Sequence, residues 1–342
     1  IYGNALTQDI LSEFYTIGSG FAFSEYKAIS NNTYDIHSRL TYSEVRNFSD
    51  ANGTTFRDLQ VINYSESDYD QFGNSRLQTI DTYSSTIIGS GLVDSKKIEN
   101  VYANLIAARR GNASTSTVTR YSTIQRLDSD RIDQTITNTK PEDFDLQGNA
   151  LKQQQDKYIF DSTGAKVNTT HSDIVNSNFD TRGDTGTQTI ATYLIDGAIP
   201  TLQTYQLFTN RTFDVSRNVV NQLVLTYADL AGSTFLDAQE IRSSNFFSSG
   251  VAGNQKIVTY SDALKTGIIG AKEIVNSGVL SNGNVGQSVI TSYSTASIAN
   301  SGTGDITLDP LKALSIQTVN NTSFDIYGNA LTQDILSEFY TI

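Results

Sequence analysis

Tyr69-Asp70-Gln71-Phe72-Gly73-Asn74-Ser75-Arg76-Leu77-Gln78-Thr79-Ile80-Asp81-Thr82-Tyr83 reads as a tight corner running into a strand. The first half, aromatic-Asp-x-x-Gly-Asn, has turn chemistry. An Asp carboxylate there can accept backbone N–H groups two residues on, and Gly and Asn tolerate positive φ. The second half, Gln-x-Ile-x-Thr-Tyr, alternates polar with β-branched or aromatic residues at period two, which predicts a half-buried strand. With the aromatic as position zero, the frame is Asp at +1, Gly at +4, Asn or Asp at +5, Gln at +9, Ile or Val at +11, Thr at +13 and Tyr at +14.

The frame recurs along the chain. Phe179-Asp180…Gly183-Asp184…Gln188…Ile190…Thr192-Tyr193 fits throughout, and Phe213-Asp214…Asn218…Gln222…Val224…Thr226-Tyr227 departs only at +4, where Arg217 stands. Phe144-Asp145…Gly148-Asn149…Gln153…Tyr158 loses Ile and Thr, and Phe246…Gly250…Gln255…Ile257…Thr259-Tyr260 lacks the Asp. Phe324-Asp325…Gly328-Asn329…Gln333…Ile335 begins another copy. Weaker ones start at Tyr34, near Ala107 and near Val279. The starts at 34, 69, 107, 144, 179, 213, 246, 279 and 324 lie 35, 38, 37, 35, 34, 33, 33 and 45 residues apart.

A second strand precedes each new aromatic, as in Leu59-Gln60-Val61-Ile62-Asn63 and Ser315-Ile316-Gln317-Thr318-Val319. Loops such as Asp196-Gly197, Ser162-Thr163-Gly164 and Ala231-Gly232-Ser233 separate the two strands and are hairpin signals. Helical spacing is confined to a turn over 101–110.

A longer period encloses the short one. Ile1 to Ile17 return letter for letter as Ile326 to Ile342, a period of 326 − 1 = 325 residues. Residues 1–325 read as one long tandem period of about nine modules, and 326–342 as the start of the next. The expectation is a natural polypeptide much longer than this chain.

A module of about 36 residues has too few apolar residues to bury a core alone. Stacked modules cover one another. The predicted fold class is therefore all-β: an elongated solenoid of two-strand modules, built as antiparallel hairpins in a continuous spiralling sheet, with a parallel β-helix as the alternative. Two strands per module at ~4.8 Å spacing advance about 10 Å per module, on the order of 90 Å per long period. Gln at +9 and Thr at +13 are expected to form side-chain ladders along the stack, with Tyr at +14 as an aromatic row.

The Tyr/Phe-Asp-x-x-Gly-Asn phrase resembles the signature of YD-repeat (Rhs-type) proteins, whose hairpins spiral into long sheets and shells. Asn or Asp stands here where that family carries Arg. The 325-residue period resembles giant tandem-repeat surface proteins and adhesins of bacteria and archaea. These resemblances imply an extracellular or cell-surface location and a fibrous or adhesive role.

The net charge of −12 and pI near 4.6 argue against a nucleic-acid partner. The absence of cysteine excludes a disulfide framework and thiolate metal sites. No apolar run approaches the ~20 residues a membrane span needs. His37 and His171 are the only histidines and lack the context of a catalytic triad. Gly267-Ile268-Ile269-Gly270-Ala271-Lys272 has the wrong glycine spacing for a phosphate loop. Asp128, Asp130 and Asp133, and Glu66, Asp68 and Asp70, offer oxygen ligands for Ca2+ but not in a calcium-loop spacing. Asn-x-Ser/Thr sequons permit glycosylation without indicating it.

The expectation is a protein without enzymatic activity or cofactor, Ca2+ being the one candidate. It is read as a structural segment of an extracellular filament, surface stalk or surface layer. Its partners would be further copies of the repeat, along the chain and in neighbouring chains. The alternative is an adhesin binding glycans or another cell through exposed loops, particularly Asn300 to Asp309 in the 45-residue module. A polysaccharide-acting enzyme on a β-helix is a third reading.

Overall fold

The computed structural model describes residues 4–16, 20–161, 163–196, 199–214, 216–247, 249–280, 282–298, 304–324 and 328–340. The chain divides into two compact units, Ile1–Thr169 and Thr170–Ile342.

In the first unit, β1 (Gln8–Thr16), β2 (Gly20–Tyr34), β3 (Leu40–Phe48), β4 (Phe56–Tyr64), β5 (Leu77–Tyr83), β6 (Leu92–Val101), β7 (Thr115–Tyr121), β8 (Arg131–Asn138) and β9 (Lys152–Phe160) follow one another. Each pairs antiparallel with the next. A short helix, α1 (Leu105–Arg110), is inserted at the corner between β6 and β7. Asn104 caps its start by accepting from the N–H groups of Ile106 and Ala107, and Gly111 ends it at φ 73°.

β10 (Lys166–Phe179) runs across the division between the units. The second unit contains β11 (Thr185–Asp196), β12 (Ile199–Phe213), β13 (Val219–Tyr227), β14 (Phe235–Phe246), β15 (Ala252–Tyr260), β16 (Ile268–Val279) and β17 (Val285–Tyr293). A two-residue hairpin of β18 (Ser297–Ile298) and β19 (Ile306–Thr307) intervenes, and then β20 (Ala313–Phe324) pairs with β17 and β21 (Ala330–Phe339) with β20. Every described pairing in both units is antiparallel. The parallel β-helix is therefore overturned. Short corners of Asp, Asn and Gly favour hairpins, whereas parallel neighbours need long crossovers.

Between 34 and 278 each stretch from one module start to the next holds two strands, and the stretch from 279 adds the β18–β19 hairpin. Gln-x-Ile-x-Thr-Tyr is the first strand, as in β5, β13 and β15. The segment before the next aromatic is the second, as in β4 and β20. At the end of the first strand a β-bulge recurs. Register shifts fall between Asn47/Phe48, Thr82/Tyr83, Arg120/Tyr121, Thr192/Tyr193, Thr226/Tyr227, Thr259/Tyr260 and Ser292/Tyr293. In each case the extra residue lies on the following strand, and the +14 aromatic meets the residue that opens it, except that Tyr193 meets Leu202, three residues inside β12. Phe48 meets Phe56 edge-on at 6.2 Å between ring centroids, and Tyr227 meets Phe235 at 5.8 Å. A bulge at the same position of these seven hairpins adds the same local twist each time.

The core is the row of these aromatics with the aliphatic residues beside them. Tyr83, Tyr121, Tyr260 and Tyr293 are all buried. In the first unit Leu59, Val61 and Tyr83 pack together, flanked by Tyr42, Phe56 and Leu92. In the second, Leu223, Ala238, Val258, Tyr260, Ala271 and Tyr293 form a larger cluster. The sheet is not the whole of that cluster. Ile306, on the β18–β19 hairpin, is fully buried in it.

Candidate functional site

The corners that open the modules line up, and this row of turns is the most regularly built feature of the molecule. Asp70 Oδ1 accepts from the backbone N–H groups of Phe72 (2.8 Å) and Asn74 (2.9 Å), while Oδ2 accepts from Asn74 Nδ2 (2.8 Å). Asp145 repeats the arrangement with Gln147 and Asn149, and Asp214 repeats it with Asn218. Asp180 accepts from Arg182 and Asp184, and Asp35 from His37 and Arg39. The chemistry predicted for the +1 position is present in each. Asp325 lies outside the described residues.

Burial by itself would raise the Asp70 and Asp145 carboxyls, but the N–H groups aimed at them outweigh it and hold both below the ordinary aspartate value. At Asp180 the N–H of Asp184 is the largest influence, in the same direction.

At five corners the +5 residue of one module lies against the +4 residue of the next, whereas Gly73 has no such neighbour. A Cβ added to Gly111 would stand 3.4 Å from Asn74 Oδ1, and one added to Gly148 would stand 3.1 Å from Asn112 Oδ1. Gly250 faces Asn218 at 3.8 Å, Gly283 faces Val251 at 3.7 Å and Gly328 faces Asn284 at 2.9 Å. The +4 glycine is thus needed twice, for its positive φ and for the neighbour above it. Arg217, the exception, holds φ 67° and turns the contact into an ion pair, donating from Nε to Asp184 Oδ1 at 2.6 Å and from Nη2 to the Arg182 carbonyl at 3.0 Å. Gly148→Ala is expected to destabilise by about 1–2 kcal/mol, from left-handed backbone strain and the crowded Asn112. Urea unfolding measures this, and an unchanged midpoint would remove the corner contact as a stabilising element.

A second row of corners on the opposite edge was not legible as a repeat. Asp50 accepts from the N–H groups of Asn52 and Thr54 as well as Thr55, Asp229 from Ser233 and Thr234, and Asp262 from Thr266 and Gly267. Phe48-Ser49-Asp50, Tyr227-Ala228-Asp229 and Tyr260-Ser261-Asp262 were the available signal: an Asp two residues past the +14 aromatic. The glycine at +7 was also missed. Cβ atoms on Gly186 and Gly253 would stand 2.6 and 2.4 Å from the carbonyl oxygens of Asn178 and Asn245, each of which has positive φ.

Because so many native carboxyls sit below their unfolded value, acid stability follows with a definite sign. Asp35, Asp70, Asp145, Asp180, Asp229 and Asp262 are all lowered from 3.8. Each contribution is complete above that pH and is lost as pH falls through the lower folded value. Far-UV circular dichroism should therefore stay native down to about pH 4 and collapse below it. Loss beginning above pH 5 would contradict the corner assignment.

The +9 glutamines do not ladder with one another. An intervening strand separates equivalent positions, so each reaches across to the preceding strand. Gln78 donates to the Tyr64 hydroxyl (2.8 Å), Gln153 to Thr139 Oγ1 (3.2 Å), Gln188 to Asn176 Oδ1 (2.8 Å), Gln255 to Ser243 Oγ (3.1 Å) and Gln333 to Asn321 Oδ1 (2.9 Å). Gln222 stands opposite Ile241 in its register.

The calcium candidates separate into private contacts. Asp128 pairs with Arg131, and Asp133 pairs with Arg120. Asp130 accepts from Thr123 Oγ1 and Ser129 Oγ. Among the described residues no three His, Asp or Glu side chains converge as metal ligands. His37 contributes its backbone N–H to a corner, and His171 Nε2 lies 3.3 Å from Asp173 Oδ1. Gly267 closes the Asp262 corner and 268–272 run on as strand, so no phosphate cradle forms.

Open hollows lie against the sheet in both units. One, of about 540 Å3, lies beside α1 and is lined by Phe72, Arg76, Tyr102 and Leu105, with Asp70 engaged in its corner. The other, of about 630 Å3, is lined by Asn221, Arg242, Lys256, Glu273 and Asp305. Its charges are answered locally: Arg242 by Glu240, Lys256 by Asp305, and Glu273 by Asn254.

Behind that second hollow sits a buried ionic cluster. Glu240 is fully buried, and its carboxylate accepts from Arg242 Nη2 at 2.7 Å and Lys265 Nζ at 2.6 Å. Arg242 Nε also donates to the Gly304 carbonyl (2.8 Å), and Lys256 Nζ to the Ile306 carbonyl (2.9 Å). These bonds fasten the hairpin segment down on β14–β16. The described part of the long loop, 304–309, is therefore held against the core, with Asp305, Thr307 and Asp309 pointing outward from it. Asn300–Thr303 lie outside the described residues.

No protein-family model matches the chain, and no curated protein matches it. Among solved structures, it is similar to the Photorhabdus luminescens Tc holotoxin pore with the TccC3-D651A mutation, at 11% identity and a TM-score of 0.19, covering 97% of this chain and 18% of that one. It is also similar to TcdB2-TccC3-TEV, at 7% identity and a TM-score of 0.20, covering 94% of this chain and 19% of that one. For TcdB2-TccC3 without its hypervariable C-terminal region the values are 12% and 0.17, with 98% and 18% covered. The chain spans about a fifth of the length of these structures, and superpositions this weak carry no functional argument.

Proposed function

We propose that this chain is a structural, non-enzymatic segment of a tandem β-repeat filament, surface stalk or surface layer that works outside the cell. The observation that carries the reading is the recurring seating of one corner on the next, +5 against +4, at Gly111 and Gly148 in the first unit and at Gly250, Gly283 and Gly328 in the second. Such a contact is indifferent to how many modules precede or follow it, so stability accumulates with length. The second copy of the recurring segment supports this: β21 continues the meander on β20, and Gly328 receives Asn284 as the other corners receive theirs.

The adhesin reading drew on the long loop of 300–309, and the described part of that loop is occupied in covering the core. Electron microscopy of a chain carrying several 325-residue periods tests the structural reading. Particles whose length grows in proportion to the number of periods are expected. Rounded particles of constant length would overturn it.

A further inference from the structure

We propose that the hollow beside α1 is a binding site for a saccharide that carries a carboxylate. Other modules open on an aromatic-Asp phrase, and this one carries α1 in its place. Gly111 nevertheless sits on Asn74 as the other corners sit on theirs, so the helix is an addition to the stack and not a requirement of it. The walls around the hollow are fixed without a ligand. Asn74 Nδ2 donates to the Ala108 carbonyl (2.5 Å), the Asn100 N–H to the Arg76 carbonyl (2.9 Å) and Asn100 Nδ2 to the Ser75 carbonyl (3.2 Å). The space they leave, about 540 Å3, is of the size that takes a small ligand.

In a chain of net charge −12, arginines generally find carboxylates: Arg39 pairs with Asp35, Arg126 with Asp81 and Arg217 with Asp184. Among the described residues no carboxylate lies within ion-pair distance of Arg76 or Arg109. Asp70 feels the charge of Arg76, but both of its oxygens are held in the corner. Arg76 lines the hollow. Arg109 stands over Phe72, its guanidinium carbon 5.7 Å from the ring centroid, on the face of α1 that carries Leu105 four residues earlier. Free guanidinium groups are best answered by a carboxylate, which accepts in bidentate fashion.

The rest of the lining favours a saccharide over an acidic peptide. Phe72, Tyr102 and Leu105 present apolar surface on which the C–H face of a sugar ring can pack. Amides complete the wall. Gln71 makes no side-chain hydrogen bond among the described residues, Asn100 keeps its Oδ1 free, and Asn104 keeps its Nδ2 after Oδ1 has capped the helix. Idle donors beside idle acceptors match hydroxyl groups, which do both, whereas the side chains of an acidic peptide only accept. The inference stands apart from the filament reading, because α1 takes no part in the strand ladders.

Isothermal titration calorimetry of the full chain tests this with trigalacturonate, trimannuronate and sialyllactose as probes, and with maltotriose and triglutamate as controls. At least one of the acidic saccharides should bind, with an affinity that falls as salt is added. Maltotriose, which has no carboxylate, should bind about tenfold more weakly or worse. Arg76→Gln and Arg109→Gln should each weaken the acidic saccharide by about tenfold. Arg110→Gln, five residues from Leu105 and so on another face of α1, should leave binding unchanged. Arg76 and Arg109 are exposed, and unchanged thermal melting of these variants would show that the fold is intact. No binding by any of the three acidic saccharides overturns the proposal, as does an equal loss in Arg110→Gln or equal binding of maltotriose. Triglutamate binding more tightly than every acidic saccharide, with the same dependence on Arg76 and Arg109, assigns the hollow to an acidic peptide and overturns the saccharide. None of these outcomes alters the particle lengths that test the filament reading.

Discussion

Replacing Glu240 with alanine should cost about 3–5 kcal/mol of unfolding free energy, the range for removing one partner from a buried ion cluster. Glu240 is fully buried, and its carboxylate is the common acceptor of Arg242 and Lys265. Without it Arg242 and Lys265 lose their shared carboxylate. Glu240→Ala combined with Lys265→Met should be less destabilising than Glu240→Ala alone, because one stranded charge goes with it. Chemical denaturation of the single and double variants measures both. A loss below about 1 kcal/mol for Glu240→Ala would mean that water reaches the cluster and screens it.

The sign with pH follows from the same geometry. Burial pushes the Glu240 carboxyl up, but the bonds from Lys265 and Arg242 and their positive charges outweigh it, so the folded value lies below the ordinary 4.5. The cluster therefore stabilises fully above that pH and loses its contribution as pH falls through the folded value. Its acid sensitivity should vanish in the alanine variant.

Ile306→Ala should cost about 2–5 kcal/mol, as for other large-to-small changes at fully buried sites. Ile306 has no exposed surface and fills the space over Val258, Tyr260 and Tyr293, while its carbonyl receives Lys256. The lower end applies if the hairpin lifts away instead of leaving a cavity. Hydrogen exchange separates the two outcomes, since lifting would deprotect 304–309 while β14–β16 stay protected. Leu311→Ala, at a residue 91% exposed, should change stability by no more than about 0.5 kcal/mol. Equal effects at the two positions would show that the hairpin is not part of the core.

How legible these features were depends on the range of the interaction. Asp70, Gly73 and Asn74 could be read as a corner because the carboxylate reaches only two to four residues along its own chain. The strand of Gln78 to Tyr83 was equally plain, since alternation is a local pattern. The bulge beside Tyr83 had no such signal. Its extra residue is Val93 in one module and Gln203, Leu236 or Ile269 in others, so no residue type marks it. The partners of Gln78, Gln188 and Gln255 differ as well, being Tyr64, Asn176 and Ser243.

The repeat itself, its two periods, the all-β class and the first row of Asp corners were determined by sequence, because each expresses local backbone chemistry repeated at a fixed interval. Antiparallel pairing over parallel coils, the seating of +5 on the next +4, and the burial of Glu240 and Ile306 were decided by tertiary structure. Several of these contacts join residues more than 30 positions apart, such as Asn74 with Gly111 and Arg242 with Gly304. At such separations the chain's own pattern does not say which groups will meet; the stacking of hairpins does.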